Sequence, residues 1–153
     1  MDEQVTGSGQ GQGARERERI GRHAEQFARV RRAHQSEMAE DYVEMIAELI
    51  ATQGEARAAD LAERFGVAPP TVARTIQRLI RDGLVTSAPY RAIFLTEAGH
   101  EMAAQARARH LLVRDFLVAL GVSPDVAEMD AEGIEHHVSE ETLAVFRRFL
   151  DRS

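Results

Sequence analysis

The chain has 153 residues, of which 44% are hydrophobic, 29% charged and 5% aromatic, a length typical of one domain or of two small lobes. Its 25 acidic residues outnumber 19 basic ones, and every basic residue is Arg. The absence of Cys excludes disulfides, cysteine-ligated zinc or iron–sulfur sites and thiol nucleophiles. The N-terminus lacks the apolar run of a signal peptide and no segment is long and apolar enough to span a bilayer, so we expect a cytoplasmic protein without membrane contact.

The first 36 residues form an N-terminal extension with two kinds of composition. Residues 1–13 are rich in Gly, Gln and Ser and are predicted to be disordered. Residues 14–36 are dense in Arg and Glu, which predicts a helix with a mostly solvated surface; contact of its Arg side chains with DNA phosphates is the alternative. A second helix is predicted from about Glu37 to Thr52, before Gly54, because apolar residues recur there at helical spacing.

Residues 37–97 have the element order of a winged helix-turn-helix domain. A short helix over 57–65 is stopped by Gly66, and a second helix is predicted to have Pro70 as its first residue and to end at Gly83. Two β-prone runs, 84–88 and 92–96, are joined through Pro89-Tyr90-Arg91 and predict a hairpin wing. Ala62 supplies the small residue needed where the two helices cross.

The second helix of this unit carries the candidate DNA-reading residues. Arg side chains can bond guanine bidentately in the major groove, and Thr and Gln suit phosphates, adenine or the thymine methyl group. Although the whole chain is acidic, the segment from 71 to 91 has four Arg and one acid, so its local field is positive. An ordinary Arg-rich surface helix is the alternative. The predicted DNA-binding residues are Thr71, Arg74, Thr75, Gln77, Arg78 and Arg91.

Residues 98–153 are predicted to form a helical dimerisation and metal-binding domain, with helices over about 96–121, 124–137 and 139–150. Their apolar residues are candidates for a dimer core: Leu111, Leu112, Phe116, Leu117, Leu120, Phe146 and Phe149.

Acidic residues and histidines cluster at helical spacing in two places. Glu132, Glu135 and His136 lie at i, i+3 and i+4 in EGIEHH, and Asp41 and Glu44 lie at i and i+3 in EDYVEMI. Carboxylates that converge on one helix face repel one another and attract a divalent cation. His110, in RARHLLV, lies on the long helix between the two motifs. Each fragment alone is also explained by solvated acids and by core or surface histidines.

Taken together, four segments resemble the manganese transport regulator (MntR) branch of the DtxR-like, metal-dependent repressors. They are EDYVEMI, the reading helix with a wing ending in FLTEAG, RHLLVRDFLVALGVSP, and DAEGIEHHVSEET. The resemblance implies a mainly α fold, with a winged helix-turn-helix domain and a helical domain for metal binding and dimerisation. Residue matching implies the metal ligands Asp41, Glu44, His110, Glu132, Glu135 and His136, while His137 matches no ligand and has an orienting or structural role.

The implied ligand set indicates the metal. Iron-type relatives have Met where Asp41 stands, whereas four carboxylates and two imidazoles without sulfur suit a hard ion such as Mn²⁺. Four carboxylates predict two Mn²⁺ per subunit, and Fe²⁺, Co²⁺ or Cd²⁺ are possible substitutes.

The expected function is manganese-responsive repression of manganese uptake genes. A homodimer with bound Mn²⁺ is expected to hold its two reading helices about 34 Å apart on palindromic double-stranded DNA. Three alternatives remain: a di-metal hydrolase, since carboxylates and His can activate water between two metals, a winged-helix regulator that responds to another metal such as Fe²⁺, and a winged-helix regulator without metal.

Overall fold

The computed structural model describes residues 9–88 and 91–152. The two strands, β1 (Val85–Thr86) and β2 (Phe94–Leu95), pair antiparallel, with Val85 opposite Leu95. The mainly α architecture predicted from the sequence is confirmed. The chain divides into two compact units, Met1–Gln35 and Ser36–Ser153, which are described separately. The helices are α1 (Gly9–Gln53), α2 (Ala58–Phe65), α3 (Pro69–Arg81), α4 (Glu97–Ala119), α5 (Pro124–Ile134) and α6 (Glu140–Leu150).

Helix α1 departs from the sequence prediction at two points. Disorder over 1–13 was wrong for residues 9–13, which belong to α1, while residues 1–8 lie outside the described residues. Adding a residue to an existing helix costs far less than nucleating one, so the helix extends into this weak sequence. The start of a separate helix predicted near residue 37 was also wrong, because α1 continues to Gln53 and neither Gly nor Pro interrupts the chain from 22 to 53.

The described part of the first unit is a highly solvated stretch of helix. Arg19 pairs with Glu16 at 2.7 Å and Arg22 with Glu18 at 2.6 Å, at the i, i+3 and i, i+4 spacings that support an exposed helix. Its larger apolar side chains, Ile20, Phe27 and Val30, are exposed.

In the second unit, the reading domain is built around one hydrophobic core. Val43, Ile46 and Leu49 of α1 are buried in the same cluster as residues of α2, α3 and the wing. Gly66 ends α2 with φ +63°, a left-handed conformation that Gly adopts without a Cβ penalty, and the next helix begins at Pro69. The predicted helix, turn, helix and hairpin are therefore confirmed, although Pro89 and Tyr90 of the wing tip lie outside the described residues.

Helix α4 connects this core to a second one. Its N-terminal half contributes Ala103 to the reading-domain core, and its C-terminal half contributes Val113 to a cluster with α5 and α6. A Cβ on Gly99 would lie 2.1 Å from the backbone oxygen of Leu84, so Gly allows α4 to begin directly against the wing. His110 lies on α4 between the two cores.

Several apolar residues predicted for the dimer core pack within their own subunit. Phe116 stacks on Phe146 with ring centroids 3.8 Å apart and meets Phe149 edge-on at 5.3 Å. Leu112 and Leu117 pack against the second core, because α6 folds back over α4. Within the described ranges, no helix has the length and hydropathy required to cross a membrane.

Candidate metal centre and DNA-reading surface

One half of the candidate metal centre surrounds His136, just after α5. Its Nε2 atom lies 3.1 Å from Asp41 Oδ1 on α1 and 3.3 Å from Glu135 Oε1. Its Nδ1 atom lies 2.7 Å from Glu40 Oε2, and that same oxygen lies 2.7 Å from Arg109 Nη2 on α4. The imidazole is 2% exposed, so it is enclosed by charged groups from three parts of the fold.

The other half surrounds His110, on α4, which is 1% exposed. Its Nε2 atom lies 2.7 Å from Glu128 Oε1 on α5. Its Nδ1 atom lies 2.8 Å from Glu135 Oε2 and 3.3 Å from Glu132 Oε1. Glu135 thus has one carboxylate oxygen beside each histidine and connects the two halves.

Burial and mutual repulsion shift the pKa values of the central carboxyl groups. Burial and the charge of Glu44 raise the pKa of Glu135 to about 7. Burial and the charges of Glu132 and Asp41 likewise raise the pKa of Glu44, which brings this carboxyl group into the same cluster. Without a cation, this part of the protein therefore retains protons that ordinary carboxyl groups release.

His136 and its outer carboxylate are shifted in the opposite sense, toward their charged forms. Burial lowers the pKa of His136, but hydrogen bonds to Asp41 and Glu40 outweigh it and raise the pKa to about 10. Burial raises the pKa of Glu40, but the hydrogen bond from His136 and the charge of Arg109 lower it below its ordinary value. The pair is therefore ionised in the metal-free protein at neutral pH.

Two buried atoms that make no hydrogen bond within the described residues indicate whether the centre can hold a divalent cation. His110 Nδ1 and Glu135 Oε2 face each other at 2.8 Å, yet neither has a hydrogen-bond partner among the residues that the structure describes. Buried polar atoms are rarely left unpaired. Neighbouring ligands of an octahedral ion with bonds of about 2.1 Å stand about 3 Å apart. The orphaned pair and the surrounding oxygen and nitrogen donors therefore fit such an ion.

All six ligands implied by the resemblance lie in this region, from α1, α4 and α5 and the turn after it. Asp41 and Glu135 contact His136, and Glu132 and Glu135 contact His110. Glu44 belongs to the same group because the charges of Glu132 and Asp41 raise its pKa. His137, which matched no ligand, instead lies 3.2 Å from Glu37.

Sequence reasoning missed two carboxylates that contact the histidines. Glu128 lies four residues before Glu132, so its i, i+4 spacing on the same helix face was an available signal. Glu40 lies four residues before Glu44, so the same spacing was available there, but its contacts with His136 and Arg109 join residues that are remote in sequence.

The candidate DNA-reading surface lies on α3 and the wing. Arg74 and Gln77 are exposed on α3, and Arg91 is exposed beside the wing tip. Thr71 and Thr75 are partly buried, and the Thr75 hydroxyl donates to the Thr71 carbonyl at 3.1 Å.

Two further arginines affect this surface. Arg78 is partly buried and lies 3.9 Å from Asp82. Arg57 lines a groove of about 520 Å³ between α3 and the wing, together with Gln77 and Arg91, and its Nε atom lies 3.0 Å from Glu55 Oε1.

Comparisons with known proteins agree with both regions. A family model described as the N-terminal DNA binding domain of the iron dependent repressor matches residues 34–93, and one described as its metal binding and dimerisation domain matches residues 96–153. The transcriptional regulator MntR of Escherichia coli is 52% identical over 130 residues, which span 85% of this chain and 84% of that protein.

More distant relatives share the same architecture. An HTH-type transcriptional regulator MntR of Listeria monocytogenes is 41% identical over 100 residues, which span 65% of this chain and 70% of that protein. A solved manganese-dependent transcriptional repressor in complex with manganese is 34% identical with a TM-score of 0.67, over 74% of this chain and 52% of that chain. The match therefore spans about half the length of that structure.

A winged helix-turn-helix joined to a helical domain for metal binding and dimerisation defines a metal-dependent transcriptional regulator. The partners of this class are DNA and a second copy of the chain. The chain belongs to the iron dependent repressor family, in the branch of the MntR transcriptional regulators. Its membership makes it a regulator and not an enzyme, which removes the hydrolase alternative.

Proposed function

We propose that this regulator represses manganese uptake genes by binding a palindromic operator as a homodimer when its metal centre holds Mn²⁺. The observation that carries the proposal is the convergence of carboxylates from α1 with imidazoles from α4 and from the turn after α5, around buried atoms of His110 and Glu135 that make no hydrogen bond in the described residues. The manganese-dependent repressor described above has the same fold and supports this assignment.

The proposed ligands are Asp41, Glu44, His110, Glu132, Glu135 and His136. Oxygen and imidazole donors without sulfur favour Mn²⁺ by their hardness, while Fe²⁺, Co²⁺ and Cd²⁺ remain chemically compatible substitutes. The two oxygens of Glu135 lie beside different histidines, so this carboxylate could serve a site at each histidine, which supports two ions per subunit. Calorimetric titration or elemental analysis of the dimer tests this number.

The coupling between the metal centre and the reading domain runs through α1. Val43 and Ile46 of this helix pack in the reading-domain core, while Asp41 and Glu44 of the same helix belong to the carboxylate cluster. A bound cation supplies the positive charge that neutralises this cluster. The ligands on α1 then stay close to those on α4 and α5, and the reading domain takes a fixed position relative to the dimer. Such couplings are typically worth about 1–3 kcal/mol.

The proposed DNA contacts are Thr71, Arg74, Thr75, Gln77, Arg78 and Arg91. The exposed Arg74 and Gln77 have the positions and donors to read base edges, and Arg91 has the position to bind a phosphate or enter the minor groove. A twofold dimer pairs two reading helices with half-sites about 34 Å apart, which predicts a palindrome.

A selection from genomic DNA tests the proposal. Sheared DNA from the source organism is captured on the purified protein with Mn²⁺ or with a chelator, and the captured fragments are sequenced. We expect palindromic sites to be enriched only with Mn²⁺. Equal enrichment in both conditions would contradict the metal switch, and enrichment in neither would contradict operator binding.

Two variants connect this result to the named residues. Asp41→Asn should abolish the manganese-dependent enrichment. Glu48→Gln removes the same charge from an exposed position of the same helix and should leave the enrichment unchanged. Unchanged manganese dependence in Asp41→Asn would contradict the ligand assignment.

A further inference from the structure

Each histidine of the metal centre has one ring nitrogen toward the cluster and the other held by a carboxylate. His136 Nε2 lies 3.3 Å from Glu135, and its Nδ1 lies 2.7 Å from Glu40. His110 Nδ1 lies 2.8 Å from Glu135, and its Nε2 lies 2.7 Å from Glu128. The two rings are therefore held in opposite orientations, one presenting Nε2 and the other Nδ1 to the same central carboxylate.

We propose that Glu40 and Glu128 are positioning residues that select which nitrogen of each histidine binds the metal. Glu40 keeps a proton on Nδ1 of His136, so that Nε2 is the ligand. Glu128 keeps a proton on Nε2 of His110, so that Nδ1 is the ligand. The hydrogen bond that the remote nitrogen makes fixes the tautomer and ring orientation of a metal-binding histidine. This inference rests on the metal site proposed above.

Arginines beside both carboxylates support a role outside the coordination sphere. Arg109 Nη2 lies 2.7 Å from Glu40 Oε2, and these side chains are 19% and 12% exposed. Arg114 Nη1 lies 3.7 Å from Glu128 Oε2, in a more open environment, where the Glu128 side chain is 47% exposed. A fixed guanidinium group beside a carboxylate opposes the approach of a second cation but preserves the charge that accepts the imidazole proton.

Glu128 has a second chemical possibility, which is to bind the cation itself. His110, Glu128 and Glu132 each offer a donor atom within 4.8 Å of the others. Against this, Nε2 of His110 already has Glu128 as its partner, whereas Nδ1 has no hydrogen-bond partner within the described part of the chain. Nδ1 makes no hydrogen bond among these residues and faces the carboxylates of Glu132 and Glu135, so it is the nitrogen available as a ligand.

Glu40 also has a structural consequence that Glu128 lacks. It lies on α1, its cation Arg109 lies on α4, and its imidazole His136 follows α5. This single carboxylate therefore brings together the three segments that supply the ligands. We expect its removal to affect metal binding more than removal of the exposed Glu128.

Nuclear magnetic resonance of the cadmium-loaded protein tests the assignment. The full-length protein is labelled with ¹⁵N-histidine and loaded with ¹¹³Cd²⁺, a diamagnetic probe whose direct bond to nitrogen produces a scalar coupling. We expect coupling to Nδ1 of His110 and Nε2 of His136, with a proton on the opposite nitrogen of each ring. His110→Gln and His136→Gln variants assign the two signals.

Carboxylate variants measure the size of the effect through Mn²⁺ and Cd²⁺ affinity. Outer partners of metal ligands contribute roughly 10–100-fold to affinity. Glu40→Ala should weaken binding toward the upper end of this range and allow both nitrogens of His136 to couple. Glu40→Gln keeps an acceptor for Nδ1–H and a partner for Arg109, so it should retain Nε2 coupling with a smaller loss of affinity. Circular dichroism checks that each variant is folded.

Glu128→Gln should weaken binding toward the lower end of that range, with Nδ1 coupling of His110 retained. Glu48→Gln on α1 and Asp130→Asn on α5 remove the same charge from exposed positions and should leave affinity and coupling unchanged. These controls separate hydrogen bonding to the histidines from a general loss of negative charge.

The outcomes distinguish this inference from the proposed function. Coupling of cadmium to Nε2 of His110, or to Nδ1 of His136, would overturn the positioning roles while leaving the metal site in place. Folded Glu40→Ala and Glu128→Gln variants with wild-type affinity would also overturn them. Coupling to neither histidine in the wild-type protein would overturn the metal site itself, and the positioning roles with it.

Discussion

The proposed DNA-reading residues lie between positions 71 and 91, on one helix and one hairpin, whereas the candidate metal centre gathers side chains from positions 40 to 136. DNA binding by the proposed reading residues depends on exposure, because Arg74 and Gln77 would have to reach bases and phosphates. The candidate metal centre depends on burial, since His110 and Glu135 are each 1% exposed and each has an atom that makes no hydrogen bond within the described structure. A change at the surface should therefore alter one interaction, while a change in the centre should alter stability, protonation and coupling together.

The largest expected effect comes from removing the central charge of the metal centre. Glu135→Gln keeps the shape of the side chain but removes an anion that lies beside both histidines. We expect Mn²⁺ affinity to fall by more than roughly 100-fold, because even outer partners of ligands contribute 10–100-fold. The metal-free protein should become more stable at about pH 8, by on the order of 1 kcal/mol, since a repelled buried carboxylate is removed.

Calorimetric metal titration and chemical denaturation measure these two effects on the same sample. Asp130→Asn, at an exposed position of α5, is the matched control and should change neither. Loss of metal affinity together with loss of metal-free stability would contradict this description, because it would make Glu135 a structural residue.

The second prediction separates the reading surface from the metal centre. Arg74→Ala should weaken operator binding by about 1–3 kcal/mol, the range for one good base contact, and should leave Mn²⁺ affinity unchanged. Fluorescence anisotropy with operator DNA at fixed salt measures the first quantity, and calorimetry measures the second. Arg148→Ala removes the same charge from the exposed surface of α6 and is the control. A parallel loss of metal binding would show that α3 has a structural role in the centre.

The reading surface is local in sequence and the metal centre is not, and this difference determines how much of each could be predicted from the sequence. The reading domain obeys local rules: helical periodicity, Pro70 as a helix start, one residue after the observed start at Pro69, and Gly66 at a helix end predicted its elements and its exposed face. The ligands were obtained by resemblance, because i, i+3 acids are common on solvated helices. Spacing places Glu40 on the helix face of Glu44, but it does not reveal the contacts of Glu40 with Arg109 and His136, which exist only in the folded chain.

The length of α1 and the packing of the apolar residues predicted for the dimer core also could not be predicted from the sequence. The uninterrupted helix over Gly9–Gln53 was predicted as two helices preceded by disorder, because composition identifies poor helix formers but does not measure how far an existing helix extends. Phe116 and Phe146 were predicted for the dimer, yet they stack on each other. An apolar helix face predicts burial, and only the tertiary structure determines which partner buries it.

The third prediction concerns pH and the metal-free protein. Because the pKa of Glu135 is raised from 4.5 to about 7, the folded state holds this proton more tightly than the unfolded chain, and the free energy of unfolding falls as pH rises across that interval. His136, raised from 6.5 to about 10, extends the fall to higher pH. The limiting slope is about 1.4 kcal/mol per pH unit for each proton.

Metal binding should show the opposite dependence, because ligation displaces these protons and becomes tighter as pH rises. Denaturation of the metal-free protein and Mn²⁺ titration at several pH values from about 6 to about 9 measure both trends. Glu135→Gln should reduce the slope near neutral pH. A metal affinity independent of pH would contradict the protonation states described for the centre.

The smallest expected effect comes from the loss of a helix cap. Two caps are compared, one where the wing meets α4 and one at the start of α6. Thr96, before α4, accepts a hydrogen bond from the Gly99 amide at 3.1 Å and donates to the Gly83 carbonyl at 2.6 Å. Ser139, before α6, accepts from the Thr142 amide at 3.3 Å. A lost cap costs about 0.5–2 kcal/mol, and Thr96→Ala should lie near the top of this range while Ser139→Ala lies near the bottom.

The difference has a physical cause that denaturation of the metal-free variants can resolve. The Thr96 hydroxyl joins the start of α4 to the turn after α3, so its loss removes a tertiary hydrogen bond as well as a cap. The bonds of Ser139 are local, to residue 142 of its own helix. Thr96→Ala should therefore also weaken operator binding, because the wing packs where α4 begins, and Ser139→Ala should not. Equal stability losses with unchanged DNA affinity in both would mean that the Thr96 bond to Gly83 contributes nothing to the attachment of the wing to α4.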